Sequence, residues 1–343
     1  MIGARVSFSS GSDVGVFGKT NGATIKNIAF VDYVVSASAC NHVGLVGSAS
    51  VTTFDQVAAV GTVTGDDHVA LFAGDGNGST VTNCYVDGTV TGRSQVGGFF
   101  GCTLESGANI SNSYFNGQAT ATFRGWTGGF IGLIDKAESQ VDIHNCVSIG
   151  NCSTTGSGSP LVTAPFIAGN NAGDTPNAVI NFSGNLYNNE AVMDATTEWP
   201  TKNETAEGGS VEPATPMTVA ALQQESTYTG IGWDFANVWM FDKESGYSYP
   251  VLKQFGAIIT GIEDVNTGEN AAGAYAVHAS GNVLVVAGLG AQADVTVATL
   301  AGQNIASLTT RAGSATITLP GKGIYIVKIV ENGSAKAVKV VNR

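Results

Sequence analysis

Two short columns hold the residue types best suited to chemistry. Aligning the segments that precede a recurring apolar-glycine motif puts Cys40, Asp66, Arg93 and Arg124 in one register, and two residues later His42, His68, Gln95 and Trp126 in another. Acid, guanidinium, imidazole, amide and indole together suit a sugar: the polar groups hydrogen-bond hydroxyls, and an indole packs on the C–H face of a ring. Asp66, His68, Arg93, Gln95, Arg124 and Trp126 are therefore the candidate ligand-binding strip, with Arg93, Arg124 and Trp126 at its centre. Asp66 and Arg93 fall on adjacent repeats and are expected to pair. The plainer reading is a solvated loop edge with one surface ion pair worth under about 1 kcal/mol.

Polysaccharide hydrolysis or elimination would need a carboxylate pair, or carboxylates converging with Arg or Lys, on neighbouring turns of chain. Residues 1 to 190 carry few basic side chains, namely Arg5, Lys19, Lys26, Arg93, Arg124 and Lys136. No nucleophile or second acid converges on the strip, so no catalytic residue is assigned. Asp75-Gly76-Asn77-Gly78 and Asp66-Asp67-His68 have the composition of cation ligands. Calcium loops need several oxygens at defined offsets, which neither segment repeats, so both are expected to be tight turns, with no metal. The glycine motifs lack the GK[ST] ending and following helix of a phosphate loop, and no cofactor is expected.

Positioning such columns requires a repeat. VGVFG ends at Gly18, VGLVG at Gly47, VALFAG at Gly74, VGGFFG at Gly101, TGGFIG at Gly132 and APFIAG at Gly169, with spacings of 29, 27, 27, 31 and 37 residues. A second block follows each, clearest as VTNCYVDGTVTG from Val81 to Gly92, matched by FDQVAAVGTVTG from Phe54. Short apolar runs between glycine turns at this period specify one coil of a parallel β-solenoid, three short strands per coil and about six coils. The crossover rule makes it right-handed. Stacking then builds columns about 4.8 Å apart. Asn27, Gln56, Asn83, Asn112, Asn145 and Asn185 would form an amide ladder. Beside it, Ile28, Val57, Cys84, Ser113, Cys146 and Leu186 would form an inward column, in which Cys84 and Cys146 lie too far apart to bridge.

Composition agrees. The chain has 46 glycines in 343 residues and 43% apolar residues, so the glycines punctuate a folded all-β chain rather than a disordered linker. A net charge of −12 argues against nucleic acid and anionic membranes as partners. No apolar run approaches a transmembrane span. No secretory apolar segment follows Met1, and the chain opens on repeat-like sequence, so an export signal is expected to be missing or removed. Five cysteines without a CxxC pair are expected as buried small residues.

Beyond the repeat, residues 190 to 216 gain Glu190, Asp194, Glu198, Glu204, Glu207 and Glu212 with three prolines, the composition of a polar excursion. PMTVAALQQESTY predicts a short helix capped by Thr218. Trp233, Phe235, Trp239 and Tyr249 are then expected to cover the open solenoid end. From Ala271 short alternating strands (VLVV, DVTVAT, ATITL, GIYIVKIV, AKAVKVV) and the Asn332-Gly333 turn predict a small antiparallel sandwich. The domains expected are a solenoid at 1–190, an excursion and cap at 191–257, a linker at 258–270 and the sandwich at 271–343. Between Arg311 and Arg343, Arg311, Lys322, Lys328, Lys336, Lys339 and Arg343 face one acid, Glu331. These cations either protect an edge strand from aggregation or dock on an acidic envelope component.

The motif and its ITNCY-like companion resemble the GLUG repeat of bacterial surface and secreted β-helical proteins, including adhesin-like and some immunoglobulin-A-peptidase-like chains. The helix, WDF, VW and YP sequence resembles the segment that closes such arrays. LAGQNI, GKGIYIVKIV and the terminal AKAVKVVNR resemble the C-terminal sorting domain of the Bacteroidetes type IX (Por) secretion system. These resemblances imply a non-enzymatic, secreted or outer-membrane-associated adhesin-like protein. Its partners would be a host glycan or extracellular matrix protein and, at the C-terminal domain, secretion or envelope machinery. The alternatives are a polysaccharide-degrading β-helix, or the non-catalytic repeat region of a longer secreted hydrolase or peptidase.

Overall fold

The computed structural model describes residues 1–135, 139–170, 178–195, 208–242, 247–255, 276–280, 282–290, 292–299, 303–321, 323–331 and 334–342. A first compact unit comprises Met1–Phe241 with Ser248–Phe255, and a second holds the C-terminal strands. The first is the expected parallel β-solenoid, of about seven turns. Gly11–Val14, Cys40–Val43, Asp67–Ala70, Ser94–Gly97, Gly125–Gly128 and Leu161–Ala164 stack as one parallel sheet. Phe17–Asn21, Val46–Ser50, Ala73–Asp75, Phe100–Thr103, Ile131–Ile134 and Ile167–Asn170 stack as a second. The companion blocks form a third, 14-stranded sheet.

The motif's aromatic position forms the spine of the interior. Phe72, Phe99, Phe130 and Phe166 follow one another with ring centroids 4.8 to 5.5 Å apart, and Phe54 and Phe182 of the companion blocks pack edge-on at the two ends, at 4.7 and 5.0 Å. In-register coils place like side chains one strand spacing apart, and aromatic rings pack favourably at that distance. All five cysteines are buried and free. Burial pushes the Cys146 thiol up to about 12, in keeping with small inert core residues.

The amide column is real through its fifth member, but its physical cause differs from the one expected. Asn27, Gln56, Asn83, Asn112 and Asn145 all have φ between 47° and 54°. This left-handed conformation favours Asn and Gly among residue types. The amides do not bond to one another; Asn83 Nδ2 instead reaches Asp55 Oδ1 at 3.5 Å. The sixth position is Gly184 (φ 65°), because Ser183 pairs with His144. Asn185 falls in the adjacent column in place of Leu186, accepting from Cys146 N at 2.8 Å and donating to the Ile143 carbonyl at 2.8 Å. Leu186 pairs with Val147.

Two expectations for residues 191–257 are corrected. Ser210–Val211 and Thr215–Met217 pair in parallel with Val179–Ser183 and Leu186–Asn188, so part of the presumed excursion supplies a further turn and satisfies the backbone edge of the sixth coil. Glu198, Glu204 and Glu207 lie outside the described residues. The helix capped by Thr218, whose Oγ1 accepts from Ala221 N at 3.2 Å, is split into Val219–Leu222 and Glu225–Thr229.

The aromatic segment does not cover the solenoid end. It runs back along the flank of the large sheet as a strap. Trp233 Nε1 donates to the Asn145 carbonyl at 2.7 Å, Tyr114 Oη donates to the Pro250 carbonyl at 2.8 Å, and Gln254 Nε2 reaches Asn27 Oδ1 at 3.3 Å. Tyr85 and Tyr114, stacked at 5.0 Å, lie outside the coil interior, and Trp239 and Trp233 pack over them. An outward apolar column on a solenoid flank is exposed surface unless chain covers it, and these two tyrosines are the reason for the strap's path.

The second unit is the expected antiparallel sandwich. Val283–Ala287 lies between Ala276–Ser280 and Ser314–Thr318 in one sheet. The other runs in the order Asn304–Thr310, Ala293–Thr299, Gly323–Glu331 and Ser334–Asn342. Leu284, Val286 and Ile317 meet Val295, Val297, Val327 and Ile329 in one core. Ala276–Ser280 and Asn304–Thr310 were not anticipated as strands, since neither carries a sustained apolar alternation. The expected linker at 258–270, the expected Asn332-Gly333 turn, Lys322 and Arg343 lie outside the described residues; Glu331 pairs with Ser334.

Candidate functional site

The strip straddles the start of the first strand of each coil, with Asp66, Arg93 and Arg124 in the bends just before it. Arg93 N donates to the Asp66 carbonyl at 2.6 Å and Arg124 N to the Arg93 carbonyl at 3.3 Å, so Asp66, Arg93 and Arg124 are consecutive rungs as expected. His42, His68, Gln95 and Trp126 follow in the second column, from the pairings of Val43 with Val69, Val69 with Val96, and Val96 with Thr127. The register adds a residue that the alignment missed: Val14 pairs with Val43, which makes Asp13 the head of this column. The signal was present in sequence, because Asp13-Val14-Gly15 occupies the same place as His42-Val43-Gly44.

Motif glycines hold this column in place. Asp13, His42, His68 and Gln95 have φ of 42° to 60°, and at these corners the backbone of one coil closes against a motif glycine from the next. A Cβ on Gly74 would sit 2.6 Å from His42 Cα, one on Gly101 2.5 Å from the His68 carbonyl carbon, and one on Gly132 2.8 Å from Val96 N. On Gly169 it would lie 2.6 Å from Trp126 Nε1. Gly74, Gly101 and Gly132 are thus required by close approach rather than by their own φ; in the sixth copy the register puts Ala168, not Gly169, opposite Gly132.

At the N-terminal end the column is a charged and imidazole cluster. Asp13 contacts Lys19 Nζ and His42 Nδ1, both at 3.0 Å. Partial burial acts to raise the Asp13 carboxyl, and the hydrogen bonds from His42 and Lys19 outweigh it and leave it below its usual value. Ser12 Oγ lies 3.3 Å from His42 Nδ1. Serine, histidine and aspartate are thus together, but Ser12 and Asp13 address the same ring nitrogen, whereas a relay needs them on opposite nitrogens. The His42 and His68 rings stack at 4.9 Å. The buried His68 Nδ1 has no partner, and burial with the neighbouring His42 charge pushes His68 down to about 4. Burial raises the Asp67 carboxyl, although the His68 N–H donates to it and the Arg93, Arg124 and His42 charges act to lower it. The Gln95 amide, turned to satisfy its neighbours, donates to Ser94 Oγ at 3.0 Å and to Asp67 Oδ2 at 3.3 Å.

The expected Asp66–Arg93 ion pair does not form. The salt bridges among the described residues are Arg5–Asp32, Lys19–Asp13 and His42–Asp13. The Arg93 guanidinium instead lies over the Phe123 ring, 4.7 Å from its centroid, a cation–π contact that draws it toward the next coil and away from Asp66. Phe123 is 44% exposed and had no signal in the repeat alignment. Arg93 and Arg124 are exposed, while Trp126 and Asp66 are half-buried. The structure therefore divides the strip: Asp13, His42, His68, Asp67 and Gln95 form a partly buried polar network, and Arg93, Phe123, Arg124 and Trp126 form an accessible cationic and aromatic face.

The Asp75-Gly-Asn-Gly segment is a turn, as expected. Asn77 Oδ1 accepts from the Leu104 and Glu105 amides, both at 2.8 Å, and Asn77 Nδ2 donates to Asp75 Oδ2 at 2.6 Å. Burial pushes Asp75 up to about 6. The insertions that lengthen after Gly101 and Gly132 border an open groove of about 550 Å³, lined by Glu105, Gly107, Asn109, Gln140 and Asp142 among others.

Asp75 and His68 give opposite pH dependences. Folded Asp75 holds its proton up to about 6 while an unfolded aspartate loses it near 3.8, so acidification through this window favours the fold. Folded His68 stays neutral down to about 4 while an unfolded histidine protonates near 6.5, so the same acidification opposes the fold. Urea midpoints compared at pH 7 and 4.5 should therefore move in opposite senses in two variants. His68→Gln, a residue type this corner already accepts at Gln95, is expected to become relatively more acid-stable than the parent. Asp75→Asn is expected to become relatively less so. Parallel profiles for both variants and the parent would contradict these burial assignments.

No protein-family model matches the chain, and no curated protein matches it. Among solved structures it is similar to a chain from Bacteroides ovatus named provisionally as an immunoglobulin A1 protease, at 17% identity over 74% of each chain with a TM-score of 0.49.

Proposed function

We propose that this chain is a non-enzymatic adhesin-like protein of the GLUG-repeat type, exported and displayed at the surface of a Bacteroidetes-type cell. Its solenoid is a rigid stalk and binding face for a host glycan or matrix ligand, and its C-terminal sandwich is a sorting or anchoring module. The observation that carries this reading is the accessible face of Arg93, Phe123, Arg124 and Trp126. Cations and planar rings sit there on adjacent rungs of a stacked scaffold, so a ligand meets groups that are already ordered. The resemblance of the motifs to surface and secreted repeat proteins supplies the location.

A glycan and matrix-protein binding screen on the intact chain, with turnover of the same ligands followed in parallel, tests it. The double variant Trp126→Ala/Arg124→Ala is expected to weaken the best ligand by about tenfold or more, the scale of one lost stacking or charge-assisted contact. Undiminished binding by the double variant, or turnover of the ligand, would remove the reading.

A further inference from the structure

We propose that the ligand of the strip is an anionic glycan, one carrying carboxylate or sulfate groups, held by Arg93 and Arg124 together across two coils. This rests on the glycan-binding reading above and names the chemical class. The two arginines occupy successive bends just before the stacked strands Ser94–Gly97 and Gly125–Gly128, where Arg124 N donates to the Arg93 carbonyl, about 4.8 Å apart along the stack. Like charges directly opposite one another in a sheet are unfavourable. Elsewhere in the solenoid, Arg5 is neutralised by Asp32 at 3.1 Å and Lys19 by Asp13 at 3.0 Å. Neither Arg93 nor Arg124 forms a salt bridge with a carboxylate among the described residues, although the Asp67 carboxyl lies close enough to feel both charges. Asp66 is the next rung but forms no ion pair with Arg93, and Asp67 is engaged by His68 N and the Gln95 amide.

The pair is also positioned. The Phe123 ring holds the Arg93 guanidinium. The next coil braces the Arg124 segment, with Gly158 N donating to the Phe123 carbonyl at 2.8 Å and Gly125 N to the Pro160 carbonyl at 2.7 Å. Two exposed guanidiniums without an ion pair stand together on a chain of net charge −12. An anion bridging them relieves their repulsion and accepts charge-assisted, bidentate hydrogen bonds. Trp126, half-buried two residues beyond Arg124, and Leu161, 36% exposed on the adjacent strand, supply an apolar flank suited to the C–H face of a sugar ring. That flank favours an acidic polysaccharide over an acidic peptide.

Binding of the intact chain to polygalacturonate, heparin, neutral dextran and polyglutamate tests the inference. One or both acidic polysaccharides are expected to bind at least tenfold more tightly than dextran, with affinity falling as salt rises; their order tells carboxylate from sulfate. Arg93→Gln/Arg124→Gln should lose that preference, whereas Arg5→Gln should keep it. Acidic polysaccharides binding no better than dextran, or an unchanged preference in the double variant, would overturn the anionic inference; retention of Trp126-dependent dextran binding would then leave the glycan reading standing. Polyglutamate binding as tightly as polygalacturonate would also overturn it, in favour of an acidic peptide. Absence of binding to every glycan would defeat both readings.

Discussion

Gly101→Ala is expected to destabilise the solenoid by about 3 kcal/mol, the upper part of the usual range for overpacking. The added Cβ would meet backbone, at 2.5 Å from the His68 carbonyl carbon and 2.8 Å from the Gly74 oxygen. No side-chain rotation can relieve such contacts, so the coils must separate or the corner must shift. Gly18 occupies the same motif position in the first coil, and its Cβ would approach only the Asp13 oxygen, at 3.2 Å. The urea midpoint should therefore fall markedly for Gly101→Ala and little for Gly18→Ala. Equal effects at the two positions would mean that the motif glycine is needed for its own conformation and not for the coil beneath it. Because the corner carries His68, Gly101→Ala should also disturb the strip, which ties the repeat signature to the binding face.

Trp239→Ala is expected to cost about 3–5 kcal/mol, the range for truncating a buried tryptophan, and to release the strap. Trp239 is fully buried, 4.5 Å from the Trp233 ring and 6.1 and 6.3 Å from Tyr114 and Tyr85. Its Nε1 has no hydrogen-bond partner, so its contribution is burial and ring packing. Among the described residues the strap has the two-residue pairing of Trp239–Met240 with Val251–Leu252 and a few side-chain bonds to the solenoid, whereas each inner coil is paired on both sides. Residues 228–255 should then lose hydrogen-exchange protection while 85–92 and 114–121 keep theirs. Simultaneous loss of protection in the coils would show that the strap is part of the solenoid's cooperative unit.

Parallel in-register stacking explains how much of the site could be read from sequence. A residue one repeat away in sequence is one rung away in space, so an alignment of the copies is already a contact map. That is why the rungs Asp66–Arg93–Arg124 and His42–His68–Gln95–Trp126 could be written down without coordinates. That correspondence between sequence and space breaks where the copies decay. SGNLYNN from Ser183 carries an extra glycine, and the amide of Asn185 was assigned to a column that the backbone gives to Gly184. It also breaks where side chains choose among neighbours. Asp66 and Arg93 are adjacent as expected, but the guanidinium turns to Phe123, a residue with no equivalent in the earlier copies.

By itself the sequence determined the all-β class, the solenoid, its period and the C-terminal sandwich, because these follow from local periodicity and from repetition. Only the tertiary structure decided that the tryptophan segment straps the flank instead of covering the end, since that depends on which face leaves Tyr85 and Tyr114 outside the coil. It also decided that motif glycines serve close approach to the preceding corner, and that Arg93 and Arg124 stand together without an ion pair. Each of these is a contact between parts of the chain that no common period relates, or a side chain's choice between two neighbours, and neither is written in the order of the residues.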